Sequence, residues 1–246
     1  FGTALATRLP TRGSYDTTAA DLNGDGYPDL VFCNAYIDGS YLYWGSAKGY
    51  SPERRQILNI GRSYASGAAD LNADGYLDLV FSGTVDGKPV GTILWGSKDG
   101  FSQTRMTRLP LRAKRNALTL VIADFNRDGH LDLSFSDHYF GSLEIFWGGE
   151  QGYRQKKPYW REFGSGGGLA VADLNKDGLV DFVIPGMFDA ERKSYNTRTR
   201  VYLGTREGTP SEKPVAEVEA FGTIECAIAD LNRDGELDPA CTNYMS

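Results

Sequence analysis

The stretch "DLNGDGYPDL" at residues 21–30 sets Asp21, Asn23, Asp25 and Asp29 within nine positions, with Gly24 and Gly26 between them. Three carboxylates held so close repel one another, yet the arrangement recurs as "DLNADGYLDL" from residue 70, "DFNRDGHLDL" from 124, "DLNKDGLVDF" from 173 and "DLNRDGELDP" from 230. The first aspartates of the five copies lie 49, 54, 49 and 57 residues apart. A period near 50 marks an array of one supersecondary unit and points to a propeller or a solenoid.

Outward from each copy, the unit reads as four short strands. A strand of small residues precedes the loop ("TTAAD", "SGAAD", "LVIAD", "LAVAD", "CAIAD"), and "DLVF", "DLVF", "DLSF", "DFVI" and "DPAC" leave it. A third strand reads "YLYWG", "TILWG", "EIFWG" and "RVYLG", and a fourth ends in "TRLP", "ILNI", "TRLP", "REF" or "EAF". Leu42 with Trp44, Ile93 with Trp95, Ile145 with Trp147 and Val201 with Leu203 alternate at period two, as side chains on one buried strand face do. No segment carries an apolar stripe at helical spacing. The expectation is therefore all-β: a β-propeller of four-stranded antiparallel blades, about five of them represented, forming a single domain over residues 1–246. Phe1 falls opposite Tyr50 and Phe101, so the chain is expected to open on a fourth strand and to close after a second. That suits part of a seven-bladed ring of about 350 residues, or else a five-bladed ring closed by the N-terminal strand.

With 246 residues and 41% hydrophobic content the chain is ordinary for a packed globular protein. It has no run of about 18 apolar residues and no signal-peptide pattern at its start, so membrane insertion is not expected. The formal charge is −6, but 15 of the 32 acidic residues are the loop aspartates, so the acidity is local. The basic residues are scattered and no nucleic-acid-binding motif is present, which argues against a nucleic-acid partner. Cys33, Cys226 and Cys241 are odd in number, and Cys226 and Cys241 flank the fifth loop, where neighbouring strands can bring them together.

The loops have the chemistry of hard-cation sites. Ca²⁺ takes roughly six to eight oxygens at about 2.3–2.6 Å from carboxylates, amides and backbone carbonyls. Positions one, three, five and nine supply the side chains, position seven a carbonyl, and the glycine at position six permits the sharp turn. The expected sets are Asp21, Asn23, Asp25, Tyr27 and Asp29; Asp70, Asn72, Asp74, Tyr76 and Asp78; Asp124, Asn126, Asp128, His130 and Asp132; Asp173, Asn175, Asp177, Leu179 and Asp181; and Asp230, Asn232, Asp234, Glu236 and Asp238. The varied residues at position seven share no side-chain chemistry, which fits a role through the backbone. An EF-hand is excluded, since position twelve is Phe32, Phe81, Phe135, Ile184 or Cys241 rather than Glu. All-oxygen donors disfavour zinc. About five Ca²⁺ ions, one per loop, are the expected cofactor; the alternative is five metal-free Asx-rich turns.

The pattern D-x-N-x-D-G-x-x-D between a small-residue strand and an "LV" strand resembles the FG-GAP/VCBS repeats, the blades of integrin-α-like propellers, over essentially the whole chain. The resemblance implies a calcium-loaded, extracellular or cell-surface propeller, without implying one ligand.

If a ligand is bound, the variable connections between second and third strands are the place to look, at the end of each blade opposite the acidic loops. Tyr36, Tyr139 and Phe188 lie seven residues after the last loop aspartate and Tyr244 six, accompanied by Asn34, Asp137, His138 and Asn243. Aromatic platforms with flanking amides suit a sugar ring, although such residues also pack beneath their own loops. Arg12, Arg62, Lys114 and Arg115 lie in the inter-blade connections near that end, and the insertion "DAERKSYNTRTR" is a further candidate contact. No enzyme is expected: His130 sits in an acidic loop, His138 has no Ser or Cys pairing, and Asp137 with Asp189 is the best acid–base pair on offer. The expected partner is a glycan or protein ligand, or further blades and chains of a larger assembly. Alternatives are a structural building block without a small ligand and the propeller of a polysaccharide-active enzyme.

Overall fold

A computed structural model describes residues 7–114, 117–137, 140–189 and 191–244. They fall into two compact units, Phe1–Leu111 and Arg112–Ser246. Phe1, Arg115, His138 and Tyr139 lie outside the described residues.

The first unit holds two sheets. One is β1 (Ser14–Ala20), β2 (Asp29–Asn34), β3 (Ser40–Tyr43) and β4 (Arg55–Leu58); the other is β5 (Arg62–Ala69), β6 (Asp78–Val85), β7 (Lys88–Leu94) and β8 (Met106–Pro110). In the second unit, β9 (Ala117–Ala123), β10 (Asp132–Asp137), β11 (Ser142–Phe146) and β12 (Tyr159–Glu162) form one sheet. A second comprises β13 (Ala170–Ala172), β14 (Asp181–Ile184), β15 (Asn196–Tyr202) and β16 (Ala216–Phe221), and β17 (Thr223–Ala229) pairs with β18 (Asp238–Asn243). Every pairing is antiparallel and every four-stranded sheet follows chain order. These are the up-and-down blades expected from the repeat. Among the described residues no helix is long and apolar enough to cross a membrane.

Each acidic loop joins the first strand of a sheet to the second, and its ninth residue opens that second strand. In the first unit the apolar faces of both sheets merge into one cluster around Val31, Leu42, Leu79 and Phe81. In the second, Phe125, Ile145, Phe182 and Tyr202 play that part, with Phe125 and Phe182 stacked at 5.6 Å. Position two of a loop contributes directly to the core, since Leu22 and Phe125 are buried.

Three expectations change. Two of the third strands bury both faces: every residue of β3 and of β11 is buried, so period two understates their burial. In the fourth blade the buried residue is Tyr202, while Val201 and Leu203 are only half-buried. Where a variable connection was expected between the second and third strands of the second blade, only a tight turn separates β6 from β7. There Val85 pairs with Lys88 around Asp86 and Gly87, both at positive φ, as a two-residue hairpin requires.

The glycine after each third strand is enforced by contact. A Cβ at Gly45, Gly96 or Gly204 would stand 2.2 Å from the carbonyl oxygen of the loop's eighth residue, and one at Gly148 would stand 2.4 Å away. G96A is expected to lower stability by about 2–3 kcal/mol in denaturant unfolding, because the obstacle is backbone that cannot step aside.

Glu144, buried in β11, accepts the Arg112 N–H at 2.7 Å and has Arg112 Nε at 3.9 Å. Burial pushes its pKa above the usual glutamate value, against the opposing hydrogen bond and charge of Arg112. A raised native pKa means that stability present below the unfolded-state value is lost as pH rises through the native one. E144Q should therefore show a flatter stability curve than the wild type as pH rises above about 4.5. Parallel curves would contradict that.

Candidate metal centres and ligand face

The five loops share one hydrogen-bond pattern. The position-one aspartate accepts the N–H of position five at 3.0–3.2 Å and of position six at 2.8–3.0 Å. The position-five aspartate accepts the N–H of position seven at 2.8–3.0 Å and the asparagine Nδ2 at 2.9–3.2 Å. The turn places position six at φ 84–88°, where glycine stands in all five loops. Position four is also left-handed, and Ala73, Arg127, Lys176 and Arg233 adopt that conformation at φ 57–64° without being glycine. Each costs on the order of 1 kcal/mol.

Position nine is different in kind. Asp29, Asp78, Asp132 and Asp181 are fully buried. Each uses Oδ2 to accept the N–H of position two at 2.9–3.0 Å, and Oδ1 to accept the N–H of the glycine after the third strand at 2.7 Å. Asp238, on the two-stranded sheet, makes the first of these bonds at 3.1 Å. One carboxylate thus fastens the loop and the end of the third strand to the start of the second. That glycine was not among the residues singled out from sequence; its recurrence in "WG", "WG", "WG" and "LG" was the available signal. Tyr50 and Tyr153 add a further tie, donating their hydroxyls to the position-eight carbonyls at 2.9 and 2.6 Å.

Electrostatics separates the two kinds of carboxylate. Burial raises the pKa of Asp29 and Asp78 and pushes Asp132 up to about 6. Backbone donors oppose this, and the charges of the two other aspartates in each loop add to the rise. Three exposed position-five carboxylates move the other way: Asp177 and Asp234 are lowered chiefly by the backbone N–H of position seven. At Asp128 a burial penalty is outweighed by the His130 N–H and by Lys156 at 3.2 Å.

In this arrangement the side-chain oxygens point at the loop's own N–H groups, and no three acidic side chains among the described residues converge as a ligand shell. The donor chemistry nonetheless suits a hard cation. All side-chain donors are oxygens with lone pairs to spare, and the mutual repulsion recorded at position nine is what a cation relieves. Asp, Asn, Asp and Asp at positions one, three, five and nine, with the carbonyl of position seven, would hold it.

At the opposite end of the blades the expected residues divide. Asn34 is buried, and its amide accepts the Arg12 N–H and donates to the Gly39 carbonyl, both at 3.0 Å. Asn243 accepts from Thr223 Oγ1 at 2.7 Å. Asp137 is buried, and accepts the Phe140 N–H at 3.2 Å. Asn34 and Asp137 are thus buried and held by neighbouring backbone, a correction to their expected ligand role, whereas Asn243 is exposed at the end of β18. Tyr36 is 71% exposed and lies against Gly13, where a Cβ would stand 2.3 Å from its ring. Arg62 is exposed and 3.6 Å from Asp38. Phe188 and Tyr244 come together through Tyr195, which lies in the insertion expected as a contact but was not singled out there, with centroids at 5.0 and 6.1 Å. Cys226 and Cys241 face each other across β17 and β18 and are joined by a disulfide, while Cys33 is a buried thiol.

D78N leaves one of the two buried N–H groups facing an amide nitrogen, and is expected to lower stability by about 2–3 kcal/mol in metal-free buffer. D74N, at the exposed position five of the same loop, should cost about 0.5–1 kcal/mol there. Equal losses would mean that the ninth position carries no special burden.

A family model of the FG-GAP-like repeat matches residues 21–81, 70–135 and 124–184. Each match runs from the first aspartate of one loop into the second strand of the next blade. No curated protein matches the sequence. Among solved structures the chain is similar to the Photorhabdus luminescens Tc holotoxin pore, at 15% identity and TM-score 0.45 over 96% of this chain and 11% of that one. The V. cholerae biofilm matrix protein Bap1 is similar at 17% and 0.46, over 87% and 40%. Rhamnogalacturonan lyase PL11 of Bacillus licheniformis is similar at 12% and 0.49, over 93% and 55%. The chain therefore spans 11 to 55% of the length of these structures. With three overlapping repeats matched from residue 21 to residue 184, the chain belongs to the FG-GAP-like repeat family.

Proposed function

We propose that this protein is a calcium-stabilised extracellular recognition module. Five loops carry the cations, and the connections at the other end of the blades meet a glycan or protein. The observation that carries the reading is the fivefold repetition of one loop geometry. In four copies a half-buried and an exposed carboxylate sit over a buried third that fastens the blade, and four copies hold a non-glycine residue in a left-handed conformation. Charge repulsion and backbone strain of this kind favour a structure that a cation completes. The Cys226–Cys241 disulfide supports an oxidising compartment. Millimolar free calcium outside the cell would keep sites of modest affinity filled. The aromatic group Phe188, Tyr195 and Tyr244, with Tyr244 61% exposed, supports recognition at the loop-distal end. The reading is of a binding protein rather than an enzyme.

A cation bound only by the folded state stabilises it by about 2.7 kcal/mol per site at a hundred times Kd. Calcium should therefore raise the melting temperature by well over 5 °C, and a chelator should reverse the rise. Titration calorimetry should return about five sites in the wild type and one fewer in D128A. An unchanged melting temperature with calcium and chelator would sink the metal reading.

A further inference from the structure

In the second unit a groove of about 620 Å³ runs along the outer hairpin β15–β16. Ligand clefts commonly measure about 300–1,000 Å³. Asn196, Arg198 and Arg200 occupy alternate positions of β15 and so share one face of the strand. Glu219 and Glu217 stand opposite Arg198 and Arg200 in the strand register, and all five line the groove. Glu217 accepts from Arg198 Nη1 at 2.9 Å and Arg200 Nε at 3.3 Å, while Arg200 Nη1 also donates to the Phe163 carbonyl at 3.2 Å. The guanidiniums are thereby fixed in direction, with donors left over toward solvent.

Ser165 also lines the groove, from the glycine-rich connection between β12 and β13. It is 5% exposed, and its hydroxyl has no hydrogen-bond partner among the described residues. A buried hydroxyl without a partner is costly to keep, and this one borders the groove rather than the core. At the rim, Asp189 and Ser194 exchange backbone hydrogen bonds at 2.9 and 3.2 Å, holding Arg192 of the same loop beside the opening.

The geometry points to this groove as a binding site for a neutral oligosaccharide, a reading that rests on the recognition role proposed above and names its ligand class. Three cationic and three anionic side chains, Arg192, Arg198, Arg200, Asp189, Glu217 and Glu219, line it and cancel. A sulfate, phosphate or uronate would meet the glutamates, and an ammonium group would meet the arginines. A ligand dense in hydroxyls satisfies both kinds at once, donating to carboxylates and accepting from guanidinium forks and Asn196. Few apolar atoms are present, so selection here is by hydrogen bonds; the aromatic trio lies on the other side of the same strand start, because Tyr195 alternates with Ser194 and Asn196.

The test is an array of neutral oligosaccharides, such as cello-, manno- and galacto-oligomers, beside polygalacturonate and heparin, followed by calorimetry on the calcium-loaded chain. Binding of a neutral oligomer should persist from low to about 0.5 M salt, where exposed ionic contacts are screened. It should weaken by about tenfold or more in R198A, N196A or E219Q, with melting temperatures matching the wild type. All three positions are exposed, so loss of fold is a separable result read from the melting curve. Binding of the acidic polymers alone, or neutral binding that the three variants leave intact, would overturn this site. If that intact binding then vanished in Y244A, the recognition role would stand with its site moved to the aromatic trio. Failure to bind any glycan would overturn this site and the glycan form of the recognition role together, and leave a protein ligand as its remaining form.

Discussion

The structure hangs on a buried carboxylate with two backbone donors. Asp29, Asp78, Asp132 and Asp181 each sit at the start of a second strand and join the loop before it to the residue after the third strand. Charge-assisted bonds of this kind are roughly twice as strong as neutral ones. They act where three segments of a blade meet, so the carboxylate fixes loop shape and strand register together. The close approach it demands explains the glycine beside it, since any side chain there would collide with the position-eight carbonyl.

The same carboxylate creates the chief electrical difficulty of the fold. At Asp29, Asp78 and Asp132, burial and the two other aspartates of the loop all favour a proton. Two donors offset part of that penalty. The rest is suited to a cation at the exposed end of the loop, which would neutralise positions one and five and lower the field on position nine. In the calcium-bound form proposed above, strand pairing and cation affinity would be linked in one residue, four times over.

Much of this was legible in the sequence because it is periodic. The loop spacing placed all five acidic turns at the junctions of first and second strands, and the small-residue and "LV" segments became β1 and β2, β5 and β6, and their counterparts. Positions decided by a single long-range contact were not legible. Asn34 looks like a surface amide beside an aromatic, yet it is buried and bound to the Arg12 N–H, 22 positions away. Tyr195 falls in no repeat position, because it lies in the blade-four insertion. It joins Phe188 and Tyr244 only once β15 and β18 are built.

The division of labour along each blade follows from this. The end with the acidic loops is held to one geometry by hydrogen bonds that every copy repeats, so variation there is confined to positions two, four, seven and eight. The other end has no such shared constraint. Its second-to-third connections range from the two-residue turn at Asp86 and Gly87 to the eleven residues between β14 and β15. Differences in chemistry between blades are therefore free to accumulate at that end. The longest connection borders both the aromatic trio and the charged groove, so the departure from the repeat and the strongest candidate surfaces for recognition coincide in the fourth blade.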